Sequence, residues 1–165
     1  MVEAGSSSTI WWVSDPHWLS DDEMRLFRAF LSASSGVTSR LDALLKSSAG
    51  LTLDDYEVLV HLSEAHGHRV RMSELSKLLL HSKSRLTQRV DRLVTRGLVR
   101  REKCADDARG TWAVLTDDGM TALEAAAPDH VGHVREQLFN HLEADEIQIV
   151  MTALERIAAG VQLPN

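Results

Sequence analysis

Residues 82–96 read SKSRLTQRVDRLVTR and predict a helix with two chemically different faces. At about 100° per residue, one face collects the apolar side chains Leu86, Val90, Leu93 and Val94. The opposite face collects Ser84, Arg85, Gln88, Arg92 and Thr95, with Thr87 and Arg89 on its flanks. The apolar face would hold the helix to a domain and leave the polar face open to solvent or to a partner.

The polar face has the side chains that the major groove of DNA accepts. Arg pairs bidentately with guanine and Gln with adenine, and short polar or basic residues near a helix start suit phosphate oxygens. Ser82 is the predicted N-cap, and Gly97 ends the helix. The candidate DNA-binding residues here are Ser82, Lys83, Ser84, Arg85, Thr87, Gln88, Arg89 and Arg92. The alternative is a surface helix whose polar side faces only water.

A β-hairpin is predicted directly after this helix. Residues 98–101 and 111–115 have strand-like patterns and are joined by the polar loop 104–110. Arg109 would sit at the tip of the hairpin, where a cation can enter the narrow and strongly negative minor groove. Asp107 lies two residues earlier and could hold its guanidinium. The alternative is an exposed ion pair with little energetic weight.

The remaining pattern predicts helices on both sides of this unit. A Ser-x-x-Glu capping box begins a helix over about 21–47, and Thr52 caps a second helix that ends at Gly67. Further elements are expected at 69–71 (strand), 73–80 (helix, with Leu75, Leu78 and Leu79 inward), 116–141 (helix capped by Thr116, with a bend at Pro128) and 144–159 (helix).

The predicted fold is mainly α with a small β-hairpin, a winged helix-turn-helix flanked by a helical dimerisation region. The expected division is an N-terminal tail with a Trp-rich segment (1–20), an N-terminal dimerisation helix (21–50), a winged helix-turn-helix DNA-binding domain (51–116) and C-terminal dimerisation helices (117–165).

Charge is sorted along the 165 residues. The net charge is −6, yet residues 69–109 carry 12 Lys and Arg against 5 Asp and Glu, and the rest of the chain carries 6 against 19. The basic segment is therefore +7 and the remainder −13. An acidic body with one basic block is typical of a surface that faces duplex DNA. A merely solvated charged segment is the alternative.

Several other classes of protein are excluded. No apolar run is long enough for a membrane span, and the first twenty residues have no Lys or Arg to begin a signal peptide, so we expect a cytoplasmic protein. One cysteine allows neither an intrachain disulfide nor a zinc ribbon. Phosphate-binding glycine motifs, nucleophile elbows and zinc-protease motifs do not occur, so neither an enzyme nor a cofactor is expected.

Six short motifs in order resemble the MarR family of bacterial transcription regulators. They are Tyr56-Glu57-Val58-Leu59, Met72-Ser73-Glu74-Leu75, Val90-Asp91-Arg92-Leu93, Arg96-Gly97-Leu98-Val99-Arg100-Arg101, Asp107-Ala108-Arg109-Gly110 and Leu115-Thr116-Asp117-Asp118-Gly119. Each motif is weak by itself, but the ordered set with its spacing is highly specific. The resemblance covers about residues 21–160.

The resemblance implies a dimer that joins through its terminal helices, binds near-palindromic operators with two winged helices, and releases DNA when a small ligand binds. It makes 83–92 the reading helix, Arg109 the wing arginine, Asp107 its partner and Asp91 an acid that braces the wing. Repression is the commoner mode in the family. Ala108 departs from the family pattern, in which a basic residue is frequent, and puts one wing phosphate contact in doubt.

The terminal helices independently suggest a homodimer. They are apolar on one stripe and flank the basic domain, so they bury that stripe only against each other or against a second copy. We expect a C2 homodimer whose reading helices lie about 34 Å apart.

An effector pocket could be lined by aromatic side chains and one histidine, which would favour an apolar or amphipathic ligand that stacks on aromatic rings. The candidate residues are Trp11, Trp12, Trp18, Phe27, Phe30 and His61. Alternatively, these residues form the dimer core.

Three other interpretations stay open. Cys104, beside the wing, could make the protein a redox-responsive regulator, although no second cysteine could resolve the oxidised form. His130 and His133, one turn apart, could bind a metal, with His61, His66 and acidic residues available as further ligands. The winged helix could serve only protein association, in which case nothing would keep Arg85, Gln88, Arg89, Arg92 and Arg109 exposed.

Overall fold

The computed structural model describes residues 18–80, 82–104 and 110–161. The chain divides within its first helix into one unit that ends at Ser35 and a second that begins at Gly36. The described part of the first unit is the beginning of that helix and the three residues before it. Every other element belongs to the second unit.

Six helices and three strands make up the described residues. The helices are α1 (Asp21–Ala49), α2 (Leu53–Glu64), α3 (Met72–Leu78), α4 (Lys83–Thr95), α5 (Asp117–Gln137) and α6 (Ala144–Gly160). The strands are β1 (Arg69–Arg71), β2 (Val99–Lys103) and β3 (Thr111–Leu115), and short 3₁₀ turns lie at His66–His68 and Phe139–His141. The predicted class, mainly α with a small β element in a winged helix, is confirmed. Among the described residues, no helix is both long and apolar enough to cross a membrane.

Hydroxyl side chains begin four of the helices, as the sequence predicts: Ser20 for α1, Thr52 for α2, Ser82 for α4 and Thr116 for α5. The Ser20 amide donates to Glu23 Oε2 at 2.7 Å, which closes the capping box of α1. The Thr52 hydroxyl accepts from the Asp55 amide at 3.0 Å at the start of α2. Thr116 accepts from the Gly119 amide at 3.0 Å and caps α5. Each such cap contributes on the order of 1 kcal/mol by pairing an amide that the helix itself leaves free.

The sheet has the order β1-β3-β2 and is antiparallel throughout. Arg101 of β2 and Val70 of β1 both face Ala113 of β3 in the register, so these three residues share one face of the sheet. Val70 and Ala113 are buried there. This is the inner face, on which the core is built.

The core lies between α2, α3, α4 and the inner face of the sheet. Its most deeply buried side chains are Val58, Leu59, Leu62, Leu75, Leu86, Val90, Leu93 and Val99. Three of them, Leu86, Val90 and Leu93, belong to α4. Burial of each stabilises the fold by about 1.5–3 kcal/mol, so α4 is anchored firmly by one side.

Two predictions for helix ends are wrong. Helix α2 ends at Glu64 rather than Gly67, because Ala65 is already extended; Gly67, with φ of 66°, makes the turn into β1. Helix α5 ends at Gln137 rather than about residue 141, and a 3₁₀ turn follows it. It continues across Pro128.

Three smaller corrections concern packing and the hairpin. Leu78, predicted to face inward, is 50% exposed because α3 ends there. Val94, predicted on the buried side of α4, is 37% exposed at the margin of that side. Strand β2 begins at Val99 and runs two residues beyond the predicted Arg101.

Candidate nucleic-acid interface

Helix α4 begins at a capped end that faces solvent. The Ser82 hydroxyl accepts from the Arg85 amide at 3.4 Å and contacts the Ser84 hydroxyl at 3.2 Å. The Thr87 hydroxyl donates to the Lys83 carbonyl at 2.8 Å. These local bonds order the first turn and hold its short polar side chains close to the helix.

The face opposite the core is exposed, as predicted. Ser84, Arg85, Thr87, Gln88 and Arg92 are all exposed, and so are Ser82 and Lys83 at the helix start. Long polar side chains therefore stand on a helix whose other side is fixed in the core. This arrangement presents hydrogen-bond donors and positive charge along one side of a rigid helix.

Arg89 is not on that exposed face, and the expectation that it flanks the face in solvent is wrong. Its side chain is 10% exposed, and Nη2 donates to Asp54 Oδ2 at the start of α2. The pair spans 35 positions of sequence. The helical periodicity of α4 places Arg89 at the margin of the polar face, but it cannot identify a partner that lies so far away in the sequence.

Arg92 is partly held by the same end of α2. Its Nη2 lies 3.5 Å from Asp55 Oδ1, and its side chain remains 56% exposed. Asp55 is almost fully buried, and its other oxygen accepts from the Thr52 amide at 3.4 Å. The first turn of α2 thus positions two arginines of α4, one inside the fold and one at its surface.

The hairpin is tied to α4 by Arg101 of β2. Its guanidinium pairs with Asp91 at 2.9 Å and donates to the Thr87 carbonyl at 3.3 Å. The resemblance to the MarR family implies that Asp91 braces the wing, and the structure identifies Arg101 as its partner. The pair fixes the strand that leads to the wing relative to the exposed face of α4.

The tip of the wing lies outside the described residues. This covers Asp107 and Arg109, whose predicted roles remain predictions. The two ends of the loop are described: the Cys104 amide donates to the Gly110 carbonyl at 3.0 Å. Cys104 is 5% exposed, which gives an oxidant little access to its thiol and does not favour a redox role.

A basic and aromatic cluster on the outer face of the sheet was missed by sequence reasoning. The guanidinium groups of Arg69 and Arg71 lie 4.9 and 5.3 Å from the centroid of the Trp112 ring. Arg71 and Trp112 are register partners on β1 and β3. The alternation Arg-Val-Arg at 69–71 indicates that both arginines lie on one face of a strand, but it points to Trp112 only once β1 is known to pair with β3.

The candidate effector residues are spread over both units. Trp11 and Trp12 lie outside the described residues. Trp18, Phe27 and Phe30, in the first unit, are exposed. His61, in the second unit, lines a pocket of about 410 Å³ between α2, the end of α3 and α5.

Two aromatic side chains that line this pocket contact each other, and the pKa of each is shifted. The rings of Tyr56 and His130 lie 4.4 Å apart, tilted by 48°. Burial raises the pKa of Tyr56, while burial and then the nearby His133 lower the pKa of His130. Both shifts favour the neutral form. Among the described residues, no three His, Cys, Asp or Glu side chains come together as a metal site, so His130 and His133 lack further ligands there.

Comparison with known proteins links the chain to regulators of transcription. A sequence model of the MarR family matches residues 49–110. The crystal structure of AbsC, a MarR family transcriptional regulator from Streptomyces coelicolor, is 40% identical and matches 86% of this chain and 95% of its own, with a TM-score of 0.82.

Two further relatives extend the comparison. Sco3205, a MarR family transcriptional regulator from the same organism solved in complex with DNA, is 36% identical over 91% of this chain and 94% of its own, with a TM-score of 0.87. The transcriptional regulator HosA of Escherichia coli is 31% identical over 65% of this chain and 77% of its own. The similarity to Sco3205 includes both the sequence and the arrangement of the helices and strands.

Proposed function

Since this chain belongs to the MarR family of transcriptional regulators, we propose that it binds a near-palindromic DNA operator as a homodimer and represses transcription until a small effector releases it. A DNA-binding regulator acts in the compartment that holds the DNA, so we propose the cytoplasm as its location.

The exposed polar face of α4 carries this proposal. This face presents Arg85 and Gln88 to solvent. It belongs to the basic segment 69–109, whose net charge is +7, whereas the remainder of the chain has a net charge of −13. Helix α4 fits the major groove, with Arg85 directed to guanine and Gln88 to adenine. Lys83, Ser84 and Thr87 suit the flanking phosphates, and the N-terminus of the helix adds partial positive charge.

Other residues support this face. Arg89 anchors α4 to Asp54, and Arg92 stands between Asp55 and the solvent. The Asp91–Arg101 pair orients the wing, on which Arg109, held by Asp107, would enter the minor groove. The chain therefore has separate residues for reading bases, for contacting phosphates and for holding the helix in place.

Exposed apolar side chains in the terminal helices support a homodimer. In the first unit, Leu26, Phe27 and Phe30 of α1 are exposed. Helix α6, which is described over its whole length, has no buried residue, yet it presents Ile147, Met151, Leu154 and Ile157 to solvent at helical spacing, and Val161 directly after it is exposed as well. Faces this apolar are usually covered by a partner, and a second copy of the chain is the simplest one.

DNA selection with the wild-type protein tests the main proposal and identifies the operator in the same experiment. Duplexes selected from a random-sequence library should share a near-palindrome whose half-sites lie one helical turn apart. Fluorescence anisotropy should then show binding to the selected duplex at least about a thousandfold tighter than to random duplex, with a steep dependence on salt.

Sedimentation of the free protein should give twice the 18.3 kDa of one chain. If no sequence is enriched, the winged helix serves protein association instead.

The pocket around His61 supports a small, uncharged, amphipathic effector. Its volume of about 410 Å³ is within the range of ligand sites, and Tyr56 and His130 favour their neutral forms. His130 Nδ1 is buried and has no hydrogen-bond partner among the described residues. A hydroxyl on an otherwise apolar ligand would match this lining. The first turn of α2 also contacts α4, so a ligand here can act on the DNA-binding face.

We expect Val60→Phe to reduce the response to such ligands. Val60 lines the pocket, and a larger ring there takes up the space that a ligand needs. With p-cresol and farnesol as probes, release of bound operator should require at least about tenfold more ligand in the variant than in the wild type. Glu64→Phe, exposed on the same helix, is the control and should respond like the wild type. If neither compound releases the wild-type complex, the proposed ligand class is wrong, although DNA binding stands.

A further inference from the structure

A second cleft, of about 450 Å³, lies beside the exposed face of α4. It is bounded by the end of β1 and the start of α3, by the first turns of α4, and by the sheet at the wing. The polar side chains that line it are Arg71, Ser73, Lys83, Thr87, Arg101 and Thr111. Lys83 and Thr87 belong also to the exposed face of α4, so the cleft is continuous with that face.

The lining of this cleft has the chemistry of an anion site. Three of its side chains are cationic and three carry hydroxyl groups, and no described carboxylate lines it. The Thr87 hydroxyl donates to the Lys83 carbonyl, so the remaining hydroxyl donors of the lining are Ser73 and Thr111. Asp91 pairs with Arg101 from outside the cleft, and Arg71 and Lys83 are the other two cationic residues of the lining. A tetrahedral oxyanion with several acceptor oxygens fits such a set of donors.

Both arginines of the cleft are held in place. Arg101 is fixed by Asp91 at 2.9 Å and by the Thr87 carbonyl at 3.3 Å. Arg71 lies against the Trp112 ring at 5.3 Å from its centroid, a contact that restrains the guanidinium. Preorganised donors of this kind bind an anion with little further loss of side-chain entropy.

We propose that this cleft binds a phosphate group, with Arg71 as an anion-binding residue that α4 itself does not supply. The proposal rests on the proposed function, since the nearest source of phosphate is the backbone of an operator on the exposed face of α4. A free phosphorylated small molecule has the same chemistry and is the second source. Arg71 would then extend the DNA contact from the recognition helix to the first strand of the sheet.

The test compares Arg71→Gln with Arg69→Gln. Both arginines stack on Trp112, but only Arg71 lines the cleft, so the pair separates a cleft contact from a general loss of charge. Arg71→Gln should weaken binding to the operator and to random duplex alike, by about three- to tenfold. It should also reduce the slope of log K against log salt by about 0.9 for each subunit. Arg69→Gln should stay within about twofold of the wild type.

A second variant protects the test against a folding defect. Ser73 is exposed at the start of α3, where a carboxylate is compatible with the helix. Ser73→Asp places a negative charge in the cleft and should weaken binding to both duplexes at least as much as Arg71→Gln does. Thermal melts of each variant establish that it is folded.

A DNA-free arm separates the two sources of phosphate. Inorganic phosphate is titrated at constant ionic strength while the indole NH signal of Trp112 is followed by NMR. A saturable shift that Arg71→Gln abolishes, together with unchanged DNA binding in that variant, assigns the cleft to free phosphates. The proposal is overturned if Arg71→Gln has the DNA affinity and the phosphate response of the wild type. It is also overturned if Arg69→Gln loses as much DNA affinity as Arg71→Gln does. If the wild type binds no duplex, the proposed function fails, and the phosphate titration alone decides for or against the cleft.

Discussion

Gly119→Ala is expected to lower the free energy of unfolding by about 3 to 5 kcal/mol, a large share of the stability of a domain of this size. A Cβ atom at this position would lie 2.1 Å from the Leu98 carbonyl oxygen and 2.8 Å from Leu115 Cδ1. The first obstacle is backbone, which cannot rotate away as a side chain can. The start of α5 must therefore move away from Leu98, the residue directly before β2.

That movement would break bonds at the junction between the wing and α5. The Leu98 carbonyl accepts from the Thr116 amide at 3.2 Å, and the Thr116 hydroxyl donates to the Gly97 carbonyl at 2.7 Å. The same hydroxyl caps α5 through the Gly119 amide. A displaced helix start loses these contacts together, which is why the expected cost exceeds that of ordinary overpacking.

Gly132→Ala is the matched control, because it makes the same change in the same helix. A Cβ atom at Gly132 meets nothing within 4 Å, and alanine has the higher helix propensity. This variant should be as stable as the wild type or more stable by up to about 1 kcal/mol. Urea denaturation at one fixed protein concentration measures both variants. A loss below about 1 kcal/mol in Gly119→Ala would contradict the close approach of α5 to Leu98.

The two glycines show what sequence reasoning can and cannot supply. Leu115-Thr116-Asp117-Asp118-Gly119 is part of the resemblance to the MarR family, and the sequence alone predicts Thr116 as a helix cap. The reason for the glycine is visible only in three dimensions, because Leu98 lies 21 positions away. Periodicity and capping describe contacts within a helix, whereas the space around a residue depends on its neighbours in the fold.

The same distinction explains the candidate interface. The apolar stripe of α4 and the exposure of Arg85, Gln88 and Arg92 follow from helical geometry, so the sequence alone predicts them. The burial of Arg89 depends on Asp54 at the start of another helix. Long side chains near the boundary of a helix face can turn either way, and a distant carboxylate decides the direction.

The cleft beside α4 required still more information. Arg71 and Arg101 come from two strands that do not pair with each other, and β3 lies between them. A local hairpin was predictable from two strand-like runs and a polar loop. Addition of β1 to the free side of β3 was not, because strand pairing over this sequence distance depends on how the intervening helices pack.

Replacement of both Arg85 and Gln88 by alanine is expected to reduce the affinity for the operator by about a thousandfold, or about 4 kcal/mol. Each good bidentate contact with a base discriminates by about 1–3 kcal/mol, and a homodimer loses its contacts in both half-sites. Both side chains are exposed, and the cap at Ser82 uses only the backbone amide of Arg85. The variant should therefore fold like the wild type.

Comparison with Lys83→Ala separates base reading from attraction to phosphate. Lys83 lies at the first position of α4 and is one of the residues assigned to the phosphates, so its loss should weaken binding to operator and random duplex in parallel and reduce the salt slope. In the double variant, the affinity for random duplex should fall only by the amount that the lost positive charge of Arg85 accounts for. Anisotropy on both duplexes over a salt series measures the two effects. If the double variant also weakens both duplexes in parallel, α4 contributes only charge, and operator recognition must come from the wing or from the shape of the DNA.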